Sequence, residues 1–216
     1  RDCLLSRGLG DVYKRQIIFS EKRRPQEELN LIYNIADVTI NIANNEGFGL
    51  ATAESIMAGT PIIVNVTGGL QDQCGFKVEG NVLVADDYIK IGSLHQWREW
   101  EGKAKPGPWA LPVWSRALAL AGSVPTPYIW DDRCTAEDAA ARISEVYALG
   151  RPMRKELGAT GRHWAVNDVG FTAEDMGIKA INAIDQLFNT WSPREKYELI
   201  NCNEVKENTI NHKFVY

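Results

Sequence analysis

Histidine is scarce. The 216 residues hold three, His95, His163 and His212, each isolated from any other ligand at metal-binding spacing. Four cysteines, Cys3, Cys74, Cys134 and Cys202, are scattered with no C-x-x-C pair. That pattern argues against a zinc site and a disulfide scaffold; it fits a reducing compartment, so a cytoplasmic location and no bound metal are expected. Long apolar runs are missing as well: none approaches the roughly 18 residues a membrane span needs. Positive charge is not in excess, the formal net charge being -4, which disfavours a nucleic-acid surface. Internal repeats and low-complexity tracts are absent.

The composition that remains, 44% hydrophobic and 24% charged, is that of a globular chain with one good-sized domain or two small ones. Residues 1–16, RDCLLSRGLGDVYKRQ, have no clean period and no cap before the chain turns apolar at Ile17. They resemble a translated sequencing adapter or assembly artefact and are set aside as a tag would be. On that expectation the natural protein continues upstream and this chain is a C-terminal fragment. The expected domain then runs over 17–190, with a polar tail at 191–216.

From Pro25 the pattern becomes regular. Proline followed by Gln-Glu-Glu suits a helix start, and Leu29, Ile32, Tyr33 and Ala36 recur at helical spacing. Val38–Ile42 is a short β-rich run. A helix is expected from about Gly49 to Ala58, stopped by Gly59-Thr60-Pro61. Ile62-Ile63-Val64 reads as a strand buried on both faces of a parallel sheet. Gly68-Gly69 predicts a tight turn, and Asn81–Ala85 a further short strand. Strand, helix, strand at these lengths is a βαβ unit, so the fold class is α/β: a Rossmann-like parallel sheet with flanking helices.

The stretch from about 88 to 127, with Trp97, Trp100, Trp109 and Trp114 and five prolines, reads as an irregular insertion. Its tryptophans either line a sugar or acceptor site or simply pack a loop onto the domain. Tyr128–Trp130 follows as a strand. Thr135 with Asp138 three residues on caps a helix, and helices are expected over 151–166 and 171–191. The pairs Asp86-Asp87 and Asp131-Asp132 read as turn and cap residues.

Chemistry concentrates in Asn44–Val64, NNEGFGLATAESIMAGTPIIV. If Leu50 lies on the apolar face of its helix, Ala53, Glu54, Met57 and Ala58 share the stripe, and Glu54 points inward or into a cleft. A carboxylate there needs donors; a salt bridge or backbone N–H groups would serve as well as a ligand. Glu46-Gly47-Phe48-Gly49 precedes a helix N-terminus at the C-terminal edge of a strand, where open α/β sheets bind ligands and helix N-termini seat phosphate. Glu46 would repel phosphate, so it suits neutral hydroxyls, and Glu54, further along the helix, suits those of a ribose.

These residues resemble a known family. Glu46 and Glu54 form an E-x7-E pair within EGFGLATAESIMAGTPIIV, followed by Gly68-Gly69, similar to the nucleotide-sugar-binding half of retaining glycosyltransferases of the GT-B fold. Leu31 to Asp37 resembles that family's helix-to-strand step. Asp132 to Ala165, with Arg154, Leu157-Gly158 and Gly161-Arg162, resembles its C-terminal segment. The resemblance implies the C-terminal half of a GT-B fold and a hexosyltransferase that retains anomeric configuration. Its donor substrate would be a UDP- or GDP-linked hexose, with no separate cofactor. Glu46 would contact the donor sugar and be the catalytic residue. Glu54 would hold the ribose, backbone amides of Phe48, Gly49 and Leu50, beside Gly47, would meet the diphosphate or sugar, and Gly68 and Gly69 would line the cleft. The acceptor would be a glycan, lipid or protein.

Two departures bear on activity. The family's basic pair, which clamps the diphosphate, lies upstream of the Glu27 helix, where Lys22, Arg23 and Arg24 do not match its placement. The acceptor-binding N-terminal domain is lacking, so the 216-residue chain is expected to transfer little. There is no Asp-x-Asp triplet, the metal–diphosphate signature of the other main glycosyltransferase fold. Two rival readings stand beside this one. One is a non-catalytic nucleotide-binding or structural module. The other is an NAD-dependent oxidoreductase, for which Gly47-Phe-Gly49-Leu-Ala-Thr52 approaches but misses the G-x-G-x-x-G fingerprint.

Overall fold

A computed structural model describes residues 19–84, 86–88 and 99–193. The set-aside segment 1–16, Cys3, Ala85, His95, Trp97, Cys202 and His212 lie outside the described residues. The chain forms two units, divided between Thr172 and Ala173, 18 residues before the domain end expected from sequence.

The first unit is built on a parallel sheet. Helix α1 (Gln26–Ile35) follows Pro25, whose fixed φ suits a helix start, and Glu27 and Glu28 occupy its first turn. Strand β1 (Thr39–Asn41), α2 (Leu50–Met57) and β2 (Ile62–Asn65) form the expected βαβ unit. The third parallel strand is β5 (Ala110–Val113), and the order is β1-β2-β5. β2 lies in the middle with Ile62, Ile63 and Val64 fully buried, so both of its faces need apolar residues. Ile62 and Val64 join a cluster with Ile56, Leu70, Phe76, Trp109 and Trp114. Ile63 faces the other way, with Leu111, Val113 and Val146. At roughly 1.5–3 kcal/mol for each aliphatic side chain removed from water, this double-sided burial is the main stabilisation of the sheet.

β5 corrects the reading of 88–127 as an irregular insertion. Ala110–Val113 is wholly buried and pairs in register with β2, Ile62 opposite Ala110 and Asn65 opposite Val113. Pro112 disguised it, but β5 is the edge of the three-stranded sheet, and an edge strand tolerates a residue without an N–H. Trp109 and Trp114 are 5% and 4% exposed, so these two tryptophans pack the core. Trp109 stacks on Trp164 at a ring-centroid distance of 4.6 Å.

Gly68-Gly69 opens a short helix, α3 (Gly68–Gln73), where a tight turn was expected. β3 (Lys77–Val78) and β4 (Asn81–Val82) form an antiparallel hairpin outside the parallel sheet. Its two-residue turn, Glu79-Gly80, has positive φ at both positions, as a type I′ turn requires. β6 (Ala117–Ser123) and β7 (Thr126–Arg133) form a second, largely exposed antiparallel ribbon. It contains both the expected strand Tyr128–Trp130 and Asp131-Asp132, which are strand residues where turn or cap residues were expected.

The expected cap of the next helix, α4 (Ala136–Ala148), is present: Asp138 N–H donates to Thr135 Oγ1 at 3.1 Å. Helix α5 (Gly150–His163) passes into a π-helical segment at Trp164–Val169. In α5, Gly158 packs against the Gly59 turn and Gly161 against Trp109; a Cβ on Gly161 would stand 2.6 Å from Trp109 Cβ. The second unit holds α6 (Ala173–Thr190), an amphipathic helix with no buried residue among those described.

Candidate functional site

Because β1 and β2 run parallel, the chain leaves both at the same edge of the sheet, and two glycine-bearing loops meet there. Gly69 N–H donates to the Glu46 carbonyl at 3.0 Å. A Cβ on Gly69 would stand 2.6 Å from Phe48 Cα, and one on Gly68 would overlap the Glu46 carbonyl. Both positions therefore require glycine for close backbone approach. The structure thus brings Glu46, Gly47, Phe48, Gly49, Gly68 and Gly69 together. Gly49 caps α2 in the left-handed region at φ 86°, ψ 60°.

Buried polar side chains hold this loop from beneath. Asn65 Nδ2 donates to the carbonyls of Ala43 and Asp132, each at 3.0 Å. Thr67 Oγ1 donates to Asp132 Oδ2 at 2.8 Å, and Asp132 N–H donates to the Asn44 carbonyl at 2.8 Å. Asp132 is 1% exposed. From α3, Gln73 Nε2 donates to the Phe48 carbonyl and, at 3.1 Å, to that of Gly49. On the outer side the Phe48 ring meets Phe171 edge-on at 5.8 Å.

The apolar stripe expected for α2 is not its buried face, although Glu54 does open onto a groove. The buried face of α2 is Thr52, Ala53, Ser55 and Ile56, whereas Leu50 is 70% exposed and Glu54 is exposed. The helix approaches β1 through small polar residues: Ser55 Oγ donates to Thr39 Oγ1 at 2.7 Å and contacts the Thr60 carbonyl at 3.3 Å. Leu50 and Glu54 therefore share the open side. Tyr33 O–H donates to Glu54 Oε2 at 3.1 Å; no arginine seals the carboxylate among the described residues. Burial, then the Glu54 hydrogen bond and charge, push the Tyr33 phenol above its ordinary value.

Glu54 lines a groove of about 300 Å³ between α1, α2 and α5, with Gln26, Leu29, Asn30, Tyr33, Met57 and Arg162 among its walls. Glu46 is not one of its lining residues. The two glutamates flank the start of α2, Glu46 in the loop before it and Glu54 one turn into it, and of the two only Glu54 lines this groove. Of the basic residues near α1, Arg24 pairs with Glu28 at 3.0 Å. Arg154, singled out by the resemblance, is a structural tie, pairing with Asp37 at 3.0 Å and donating to the Val146 carbonyl.

Sequence reasoning missed Gln73, Asn65, Thr67 and Asp132. A signal existed: Asn65 and Thr67 are polar residues directly continuing a fully apolar strand, and Gln73 lies at i+3 from the buried Leu70. Polar groups in such places need partners, and here they find them in the backbone of the neighbouring loop and in the Asp132 side chain.

Comparison with known proteins bears on the same residues. Residues 13–91 match the family model described as glycosyl transferases group 1, a span that includes Glu46, Glu54, Gly68, Gly69 and Gln73 and the last four residues of the segment set aside. The comparisons support a glycosyltransferase domain. The chain is 35% identical over 128 residues to a D-inositol 3-phosphate glycosyltransferase of Streptosporangium roseum, covering 57% of this chain and 25% of the relative. It is 38% identical over 127 residues to the protein of the same name from Corynebacterium diphtheriae, covering 56% of this chain and 29% of that one. The chain thus spans only about a quarter of the first relative's length. No helix among the described residues is long and apolar enough to cross a membrane.

Proposed function

We propose that the first unit is the donor-binding half of a retaining glycosyltransferase, taking a nucleotide diphosphate-sugar such as a UDP- or GDP-hexose. The observation that carries this reading is the contact of the two glycine loops at the C-terminal edge of β1 and β2. It stacks Gly68-Gly69 on Glu46–Phe48 beside the N-terminus of α2, where first-turn amides have no helical partner. In this reading the amides of Gly49 and Leu50, with that of Phe48 just before the cap, take the diphosphate with the help of the helix dipole. The Glu46 carboxylate accepts hydrogen bonds from sugar hydroxyls. Glu54, whose Oε2 is held by Tyr33, offers Oε1 to the ribose. Gly68 and Gly69 face the acceptor.

The chemistry needs no protein nucleophile. Breaking the anomeric C–O bond leaves charge on the departing diphosphate, and fixed amides at that position stabilise it. The acceptor and its binding half are assigned to chain beyond these 216 residues, so the chain alone transfers little sugar.

Ligand-dependent melting tests the reading. A UDP- or GDP-hexose at about 100 times its Kd should stabilise the chain by about 2.7 kcal/mol, NAD should not, and Glu46→Gln and Glu54→Gln should each reduce the shift. Stabilisation by NAD alone would transfer the fold to the oxidoreductase reading, and no shift with any nucleotide sugar would favour a non-catalytic module. Robust transfer by the 216-residue chain would overturn the assignment of the acceptor half elsewhere.

A further inference from the structure

Gln73 makes an arrangement that packing alone does not explain. Its side chain is fully buried, and its amide nitrogen donates to two consecutive loop carbonyls, Phe48 and Gly49. Its Oε1 has no hydrogen-bond partner among the described residues. Turning the amide over would aim that oxygen at two carbonyl oxygens, so the orientation is fixed. A buried glutamine with an orphaned oxygen is a poor choice for stability, since an unsatisfied buried acceptor carries its full desolvation cost. An apolar side chain of the same length would avoid that cost but would leave the Phe48 carbonyl without its donor.

The geometry of the peptide unit says what the arrangement achieves. Within a trans peptide the C=O of one residue and the N–H of the next point in opposite directions. Drawing the Phe48 carbonyl towards α3 turns the Gly49 N–H outward, and drawing the Gly49 carbonyl inward does the same for Leu50 N–H. Neither N–H donates to another described residue. The Gly49 carbonyl is also drawn inward by Thr52 and Ala53 of its own helix, whereas among the described residues only Gln73 donates to the Phe48 carbonyl. Gly49 in turn must be glycine: its φ is 86°, and a Cβ would stand 2.5 Å from Leu70 Cδ2 and 3.3 Å from Gln73 Nε2.

We infer that Gln73 is a positioning residue that presents the Gly49 and Leu50 amides to the diphosphate of the bound nucleotide. This rests on the donor-binding reading above and deepens it. Gln73 touches no ligand itself; it acts through the loop, which it reaches across 24 and 25 residues of sequence. Gln73→Met keeps length and flexibility, removes the donor and removes the orphaned oxygen.

The test compares nucleoside diphosphates with their nucleosides on the 216-residue chain, using UDP against uridine and GDP against guanosine. Calorimetric Kd values are measured for the natural sequence and for Gln73→Met. The expected result is a loss of about tenfold or more in affinity for the diphosphate, as for removing hydrogen bonds to a charged group. Affinity for the matching nucleoside should stay within about twofold. A purely structural role would weaken both ligands alike, and equal losses, or no loss, would overturn the inference. Binding of neither diphosphate by the natural sequence would instead sink the donor-binding reading and this inference with it. A second measurement does not depend on the variant's folding: in amide NMR of the natural sequence, UDP or GDP should shift the Gly49 and Leu50 resonances and the nucleoside should not. Unmoved Gly49 and Leu50 resonances on saturation with the diphosphate would overturn it equally.

Discussion

Tyr33 donates its phenolic proton to Glu54 across 3.1 Å, joining α1 to α2 at the one glutamate that stands on the helix's open side. The contact holds Oε2, and among the described residues no hydrogen bond takes Oε1 of this groove-lining residue. Because Glu54 is exposed and Tyr33 only partly buried, little stability hangs on the bond. Tyr33→Phe should lower unfolding free energy by less than about 1 kcal/mol in urea titration. On the proposed donor-binding reading the same variant should weaken nucleotide-sugar binding several-fold, about the effect of freeing one carboxylate to rotate. Unchanged affinity would remove Tyr33 from the ligand's surroundings and leave it a helix-to-helix contact.

Stability should fall on the alkaline side. Burial, with the Asp72 charge adding to it, pushes the Cys74 thiol up from its ordinary value of 9.0. Burial likewise pushes the Tyr88 phenol up from 10.0, with Asp72, Cys74 and Asp87 contributing in turn. Groups whose pKa is higher folded than unfolded give stability that is complete below the unfolded value and is lost as pH climbs towards the folded one. Urea midpoints should therefore be flat up to about pH 9 and then decline, first through the thiol and from about pH 10 through the phenols, each contributing a slope of up to about 1.4 kcal/mol per pH unit. Cys74→Ala should make the onset shallower between about pH 9 and pH 10, leaving the contribution of Cys134, whose thiol burial also raises, whatever it does to the neutral-pH baseline. An onset that ignores this substitution would show that Cys74 ionises freely in the folded chain.

The sequence made the βαβ core legible because its signals were local. The glycines flanking α2, the Gly59-Thr60-Pro61 stop and the unbroken Ile62-Ile63-Val64 each act within a turn of the residues they govern. In the structure the stop closes as a Schellman motif: Thr60 N–H donates to the Ser55 carbonyl at 3.0 Å and Gly59 N–H to that of Ile56 at 2.9 Å. The face of α2 was not legible. Ranking Leu50 and Met57 above Thr52 and Ser55 follows hydrophobicity, but the helix lies close to β1 where only small side chains fit, and the hydroxyls find partners in Thr39 and in carbonyls. β5 was hidden for a different reason: its partner, β2, lies some 45 residues upstream, and no local pattern in Trp109–Trp114 reveals that pairing. The loop contacts that assemble the site are of the same kind. Glu46 with Gly69, and Gln73 with Phe48, are close in space through a fold that had to be known first.

The layer under the loop should be costly to disturb. Thr67 Oγ1 donates to a carboxylate that is 1% exposed. Thr67→Val is nearly isosteric but removes that donor from a buried carboxyl oxygen, so a loss of about 1–3 kcal/mol is expected in urea or thermal unfolding. Since Asp132 also donates its N–H to the Asn44 carbonyl, the effect should spread to the site. Amide exchange of the segment between Asn44 and Gly49 should accelerate more than that of β2. Uniform acceleration across the sheet would mean that Thr67 supports the fold at large and not this loop in particular.

Two glycine-to-alanine changes separate helix propensity from close packing. In an isolated helix either change should add about 1 kcal/mol. In α6, a Cβ on Gly177 meets nothing within 4 Å, so Gly177→Ala should deliver most of that gain as increased helicity by circular dichroism and slower amide exchange in α6. In α5, a Cβ on Gly158 would overlap the Gly59 carbonyl and stand 2.7 Å from its carbon. That obstacle is backbone held by the C-terminal cap of α2, with no flexible side chain to give way. The clash should outweigh the propensity gain and leave Gly158→Ala destabilised by about 1–3 kcal/mol, the usual range for overpacking. Relief of the clash would have to move α5 away from the Gly59 turn, and with it Gly161 away from Trp109 and Arg162 away from the Met57 carbonyl it donates to. Since Arg162 is also a wall of the groove that Glu54 lines, Gly158→Ala should weaken nucleotide-sugar binding although it lies outside the groove. A variant as stable as the natural sequence would show that α5 can slide over the turn without penalty.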